Sequence, residues 1–365
     1  MKGNCLVIPM DRLGVASAQP DFTKAVAAVN GLIREGRRVH WLTIQAKLET
    51  DRFPEGFIFQ PGGFVIDDFN DVKERLASEG VEYQSFESDY LPGRPLQRLR
   101  LAIYSGKGAA EFCTKPLCEA LGWMGFDFRM LGDREIRDGA LDSFEALLVP
   151  GGPDAGEGYY YGLGERGYRN IREFMQDRGG YFGICAGAYL PLTDPDEKNR
   201  FWLGMVGATD EQGLDYWRTG TGFVRVKIDD NEHPFSFGLA AGPVSTQDMV
   251  YWEGPAMRPI NKSVHVLATF QSFIASGAAG ERPGWDLGDN GPAKDSIDSW
   301  YNVLTKDRFE RYLAGRAAML ETAVNGHKVL LYSPHAEFGN IGAGPRRTSQ
   351  VFQFLSNALF YLAVK

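Results

Sequence analysis

Three apolar runs in this chain each stop abruptly in a turn, and that repetition limits the folds open to it. EALLV ends in Pro150-Gly151-Gly152, YFGI ends in Cys185-Ala186-Gly187, and VLLY ends in Ser333-Pro334-His335-Ala336-Glu337. Short apolar runs bounded by turn residues read as buried strands. Helical patterns stand among them: CTKPLCEALGWMG, YRNIREFMQDRGG and TSQVFQFLSNALFYLAV. Strands alternating with helices call for right-handed crossovers and a mostly parallel sheet with both faces covered. The class expected is therefore α/β.

This series begins near Leu99, with RLAIYSG as its first strand, and assigns residues 97–365 to one large unit. Between about 204 and 298 the pattern changes to alternating stretches such as GFVRVKI and HVLATF, broken by Gly, Pro and Asp, which predicts a β-rich insertion. RFERYLAGRAAMLETAVNG reads as helical. Residues 1–96 form a smaller α/β unit: CLVIP and RVHWLTI as strands, and FTKAVAAVNGLIREG as a helix with Val26, Val29, Leu32 and Ile33 on one face. In the same unit RFPEGFIFQPGG suggests a hairpin and DDFNDVKERLASEG a helix with acidic residues at its positive end. SDYLPGRPLQRLR, with two prolines, is the linker candidate.

Composition removes several function classes. With 39 basic and 47 acidic residues the net charge is -8, so no broad cationic surface exists to release phosphate counterions, and nucleic acid is not an expected partner. No apolar run reaches the ~18 to 20 residues that span a bilayer, and Asp11 and Arg12 interrupt the stretch where a signal peptide would continue. A cytoplasmic protein with no membrane partner is expected. Four cysteines are too few for a disulfide scaffold, and the five histidines show no paired metal-ligand spacing, so neither a metal nor a cofactor is expected. Cys113 and Cys118, five apart on an apolar helix, read as core thiols.

The chemistry concentrates in the three turns. Cys185, flanked at minus two and plus two by Gly183 and Gly187, has the spacing of a nucleophile elbow, in which small neighbours permit a strained strand-to-helix turn. Its thiol would face the unpaired N–H groups of the following helix. His335 and Glu337 would emerge at the carboxyl edge of the sheet, where sites of open α/β folds collect. Cysteine chemistry needs a proton carrier, and the carrier needs an acceptor that fixes its tautomer; His335 and Glu337 supply those roles. Gly151 and Gly152 can turn backbone N–H groups toward an oxyanion, with the N–H of Ala186 as a second donor. Tyr189 and Glu253 are candidate substrate contacts. Glu111 could approach the thiol, although a solvent-facing acid at a helix start is the stronger reading.

The order PGG, GICAG, SPHAE resembles the class I glutamine amidotransferase-like superfamily. The stretch from Pro150 to Tyr189 is similar to the amidotransferase-like amino-terminal domain of biotin-protein ligases and its free-standing bacterial relatives, and GFVRVKI, VYWEGPA and VLLYSPHAE extend that likeness. It implies a flavodoxin-like sheet and a Cys-His-Glu triad of Cys185, His335 and Glu337. Ala188 and Tyr189 stand where glutamine-hydrolysing members carry a glutamine, and the chain has no adenylate-binding signature of a biotin ligase. In residues 1–96, AVNGLIREGRRVHWLT and RFPEGFIFQPGG resemble an accessory α/β region of some zinc carboxypeptidases, whose metal ligands have no counterpart here.

The expected function is a cysteine hydrolase acting on an amide or acyl bond of a small molecule. Two other readings stand beside it: a non-catalytic ligand-binding module that keeps the elbow for structural reasons, and a glutaminase feeding ammonia to a partner synthase. A homo-oligomer is compatible with each.

Overall fold

The computed structural model describes residues 3–10, 19, 21–67, 70–193, 201–211, 219–239, 245–277, 302–339 and 350–364. The glycine-rich stretch 278–295 and residues 342–347 lie outside them.

The amino-terminal part contains β1 (Gly3–Ile8), α1 (Phe22–Arg34), β2 (Val39–Trp41), β3 (Ala46–Leu48), β4 (Phe57–Phe59), β5 (Phe64–Asp67), α2 (Asn70–Glu79), β6 (Gln84–Ser88) and β7 (Arg94–Pro95). Five of these strands form an antiparallel sheet in the order β6-β1-β5-β2-β7, while β3 and β4 pair as a separate hairpin. Asp21 caps α1 by accepting from the Thr23 N–H at 3.0 Å, and its apolar stripe, Val26, Val29 and Leu32, is buried. Ile33 is only half-buried. Inside the predicted linker, Arg94 and Pro95 pair with β2 as an edge strand, a place where proline's missing N–H costs nothing.

The large sheet follows with β8 (Arg100–Tyr104), α3 (Glu111–Trp123), β9 (Asp127–Leu131), α4 (Asp133–Arg137), β10 (Ala146–Val149), α5 (Ala155–Asp177), β11 (Gly180–Ile184) and α6 (Ala186–Tyr189). It continues with β12 (Ala208–Asp210), β13 (Thr221–Ile228), β14 (Thr246–Trp252), β15 (Met257–Pro259), β16 (His265–Ala275), β17 (Ala317–Val324) and β18 (His327–Tyr332). The parallel part has the order β9-β8-β10-β11-β18, the 2-1-3-4-5 order of flavodoxin-like folds. From β18 the sheet runs on antiparallel through β17, β16, β13 and β14, so it is mixed. The chain leaves β8 toward one edge and leaves β10 toward the other; right-handed crossovers then set α3 and α5 on opposite faces.

Two helical expectations need correction. The helix predicted over RFERYLAGRAAMLETAVNG ends at Tyr312, and AAMLETAV forms β17. Alanine, leucine, methionine and glutamate favour a helix intrinsically, but Gly315, at φ +73°, turns the chain back, and pairing with β16 and β18 on both sides overrides propensity. The helix predicted to begin near Tyr168 begins instead at Ala155, in two segments, 155–163 and 165–177, joined at Gly164 with φ 59°. Tyr159, Tyr160 and Tyr161 are thus helical.

One hydrophobic core joins the two parts, running from Val26 and Leu32 of α1 through Leu117 of α3 to Phe360 of the closing helix, Val351–Ala363. A buried polar contact crosses the same boundary, with Asn30 Nδ2 donating to the Met124 carbonyl at 2.8 Å. Among the described residues no helix is long and apolar enough to cross a membrane.

Candidate active site

The site lies at the carboxyl edge of the parallel strands, where β8 and β10 diverge to opposite connections. Cys185 is the first residue after β11 and has φ 54° and ψ -117°, a conformation that L residues other than glycine rarely hold. Backbone hydrogen bonds keep it there: its N–H donates to the Tyr332 carbonyl at 2.8 Å, and its carbonyl accepts from Ala188 at 2.9 Å. The flanking glycines are needed for contact. A Cβ at Gly187 would lie 2.0 Å from the Val149 carbonyl oxygen, and one at Gly183 would lie 2.2 Å from the Gly187 carbonyl oxygen. The turn is therefore pressed directly against the end of β10.

His335 and Glu337 come from the turn after β18. The His335 N–H donates to the Val250 carbonyl at 2.9 Å, anchoring the turn to β14, and its Nδ1 meets Glu337 Oε1 at 2.7 Å. Both side chains are buried, and the imidazole stacks flat on Phe338 at 4.4 Å. Burial alone would lower the imidazole pKa. The charges of Cys185 and Glu337, with contact to Cys113, outweigh it and hold His335 well above the ordinary histidine value. Nε2 is buried without a hydrogen-bond partner, so the nearby sulfurs act on the ring without reaching it in hydrogen-bonding geometry.

Gly151 sits between these groups. A Cβ on it would lie 2.9 Å from Cys113 Sγ, 3.1 Å from His335 Cε1 and 3.3 Å from Cys185 Cβ. Gly152 is needed for a different approach, since its Cβ would fall 1.9 Å from the Gly108 carbonyl oxygen. Ala186, buried, opens the short α6 immediately after Cys185.

Cys113 is the member that the sequence reading missed. It lies in the first turn of α3, which leaves the same sheet edge after β8, and burial pushes its thiol up to about 12. Its Sγ, a ring nitrogen of His335 and a carboxylate oxygen of Glu337 lie within 4.8 Å of one another, a set that could hold a metal ion. The helix after the first strand of a parallel sheet starts at the active edge, and that rule separates Cys113 in the first turn from Cys118, half-buried further along. Glu111 is exposed at the start of α3.

The thiol is covered. Cys185 Sγ donates to the Trp252 carbonyl at 3.1 Å, and only 5% of the residue is exposed. Trp252 stacks on Phe112 at 4.8 Å. The next residue, Glu253, holds φ 52°; burial raises its carboxyl pKa, while a hydrogen bond from Asn302 and the charge of Arg308 oppose the rise. Tyr189 is fully buried, and its hydroxyl donates to the Glu253 carbonyl at 3.3 Å. The two candidate substrate contacts thus meet each other beside the cover over Cys185.

Residues 99–194 match the family model described as Biotin-protein ligase, N terminal. This segment carries Cys113, Gly151, Gly152, Cys185, Ala186 and Tyr189 and stops before Glu253, His335 and Glu337. Over 98 residues the chain is 31% identical to Biotin--protein ligase of Schizosaccharomyces pombe, a match covering 25% of this chain and 15% of that protein. Over 97 residues it is 32% identical to an uncharacterized protein of Chlamydia muridarum, covering 25% of this chain and 37% of that one. The chain thus spans well under half the length of these curated relatives. A solved glutamine amidotransferase aligns over 72% of this chain and 98% of its own, with 17% identity and a TM-score of 0.40. Another, from Thermotoga maritima, aligns over 67% of this chain and 78% of its own, with 11% identity and a TM-score of 0.38.

Proposed function

We infer that the chain is an amidotransferase-like cysteine hydrolase that cleaves an amide or acyl bond in a small molecule. The observation that carries this reading is that Cys185, in a strained turn at the sheet edge, packs around Gly151 together with His335 of a buried His335–Glu337 pair spaced at 2.7 Å. Cys185 Sγ attacks the substrate carbonyl carbon, a C–S bond forms, and the carbonyl π pair moves to oxygen. The N–H groups of Ala186 and Gly152 are the assigned oxyanion donors. His335 takes the thiol proton on Nε2 before the attack, a transfer its raised pKa favours, and gives that proton to the departing amine as the C–N bond breaks. It then takes a proton from the water that opens the thioester, which releases the acid and restores the thiol. Glu337 fixes the ring through Nδ1 and does not itself need to change protonation. Before attack, the thiol has to exchange the Trp252 carbonyl for His335.

Ammonia or amine release from a panel of carboxamides, glutamine included, tests the reading. Turnover of a small amide that vanishes in Cys185→Ala is expected. A variant that keeps full turnover overturns the nucleophile assignment, and release from glutamine alone assigns a glutaminase instead.

The cover over Cys185 favours a second reading, a ligand-binding module in which the turn is structural. Alkylation by iodoacetamide, followed at the Cys185 peptide, separates the two. The hydrolase reading expects modification within minutes at neutral pH, and the binding-module reading expects a thiol that reacts only on unfolding.

A further inference from the structure

The geometry points to a binding site for a thiophilic divalent cation, Zn2+ by its ligand chemistry, formed by Cys113, Cys185 and His335. Three separate elements pack around Gly151: a Cβ there would lie 2.9 Å from Cys113 Sγ, 3.1 Å from His335 Cε1 and 3.3 Å from Cys185 Cβ, so only a missing side chain leaves a gap among them. Cys113 Sγ, His335 and Glu337 offer ligand atoms within 4.8 Å of one another, and all three residues are buried.

The histidine is prepared for such a role. Its Nδ1 is engaged with Glu337 at 2.7 Å and one face of its ring is stacked on Phe338, so the orientation of the other nitrogen is fixed. That nitrogen, Nε2, is buried at 1% residue exposure and has no hydrogen-bond partner. A buried polar atom left unmet costs stability, which a ligand at Nε2 would relieve. A carboxylate behind one ring nitrogen with metal at the other is the arrangement that orients zinc-binding histidines and raises their basicity. The imidazole and two sulfurs select a cation softer than Mg2+ or Ca2+, which prefer oxygen ligands.

Cys185 Sγ now faces the Trp252 carbonyl at 3.1 Å and joins the set by rotation about its Cα–Cβ bond. Each thiol, and the imidazolium at Nε2, releases its proton to solvent as its bond to Zn2+ forms, with no change of oxidation state. A bound cation holds Cys185 away from any carbonyl, so zinc inhibits whatever reaction the thiol performs. The site itself does not rest on the hydrolase reading, because its test uses no substrate.

Reduced full-length protein is titrated with Co2+ as a spectroscopic stand-in and then with Zn2+ against a chromophoric chelator. One equivalent is expected, with a sulfur-to-cobalt charge-transfer band that Zn2+ bleaches. The band should fall by about half in Cys113→Ser and in Cys185→Ser, with zinc affinity at least tenfold weaker, on the order seen when even a supporting group of a metal site is lost. Gly151→Ala keeps every ligand and fills the gap; it should weaken binding as much. Cys118→Ser should bind as the wild type does. The wild-type protein supplies an independent reading, since saturating Zn2+ should slow alkylation of Cys185 at least tenfold and leave Cys118 unaffected. Absence of one-equivalent binding in the wild type, wild-type affinity in Cys113→Ser or Gly151→Ala, or unslowed alkylation of Cys185 would each overturn the site.

Discussion

Two histidines, His335 buried and His233 half-buried, sit toward opposite edges of the same sheet, and their surroundings push them in opposite directions. His335, at the carboxyl edge, meets Glu337 at 2.7 Å with Cys185 and Cys113 close by, and its pKa is raised. His233, beyond the end of β13 and near the start of β18, is lowered to about 4, chiefly by burial, with Asp230 opposing and His265 and Lys328 assisting. Its Nδ1 accepts the Phe235 N–H at 3.2 Å, a bond that suits the neutral ring. Burial is common to both. The nearby Cys185 and the contacting carboxylate raise one ring, while burial prevails at the other.

Removing the carboxylate should erase part of that contrast, since Glu337 is one of the groups that raise His335. Glu337→Gln is expected to lower the His335 pKa and to destabilise the fold by about 3–5 kcal/mol, the usual cost of breaking a buried charged pair. Ring-proton NMR titration and urea unfolding measure both; a His335 titration that does not fall would mean Glu337 is not among the groups that separate the rings. Cys185→Ala should move His335 in the same direction, with a smaller loss of stability, because the residue contributes charge and little buried area. An unchanged His335 titration in that variant would break the link between thiol and imidazole.

The pH dependence of stability sharpens the contrast from the other side. For His233 the folded pKa, about 4, is below the unfolded value of 6.5. The unfolded chain therefore binds the extra proton first, and stability present above pH 6.5 is lost as pH falls toward 4. For His335 the sign reverses: its contribution is full below the unfolded pKa and fades as pH rises through the folded one. His233→Leu should flatten the acid limb of an unfolding-versus-pH curve, and an unaltered limb would reject the assignment. The smallest effect is expected from Lys328→Met. It removes a cation that lowers His233 and two hydrogen bonds, to the Tyr361 and Val364 carbonyls, at about 1 kcal/mol each. A slight upward move of the His233 titration is the readout.

Much of the carboxyl edge is legible residue by residue. The run YFGI followed by a cysteine between two glycines suits the turn, because the Gly187 backbone leaves no room for a side chain at Gly183 and the end of β10 leaves none at Gly187. VLLY followed by SPHAE likewise carries its histidine and its carboxylate on one short turn, two residues apart. Cys113 is different. Its thiol reads as core because helical periodicity reports which face is buried and not what that face meets. β17 escapes for a related reason: AAMLETAV is a good helix locally, and only the strands on either side make it a strand.

The sequence alone determined an α/β chain whose strands end in three chemically equipped turns, since apolar period, turn residues and motif spacing are local properties. Tertiary structure decided what those turns face. It brought Cys113 to the gap beside Gly151, laid the Trp252 carbonyl over Cys185, and gave one histidine a carboxylate while leaving the other neutral. Each of these depends on contacts between residues far apart in the chain, and in a buried site of low dielectric such contacts set both charge and access.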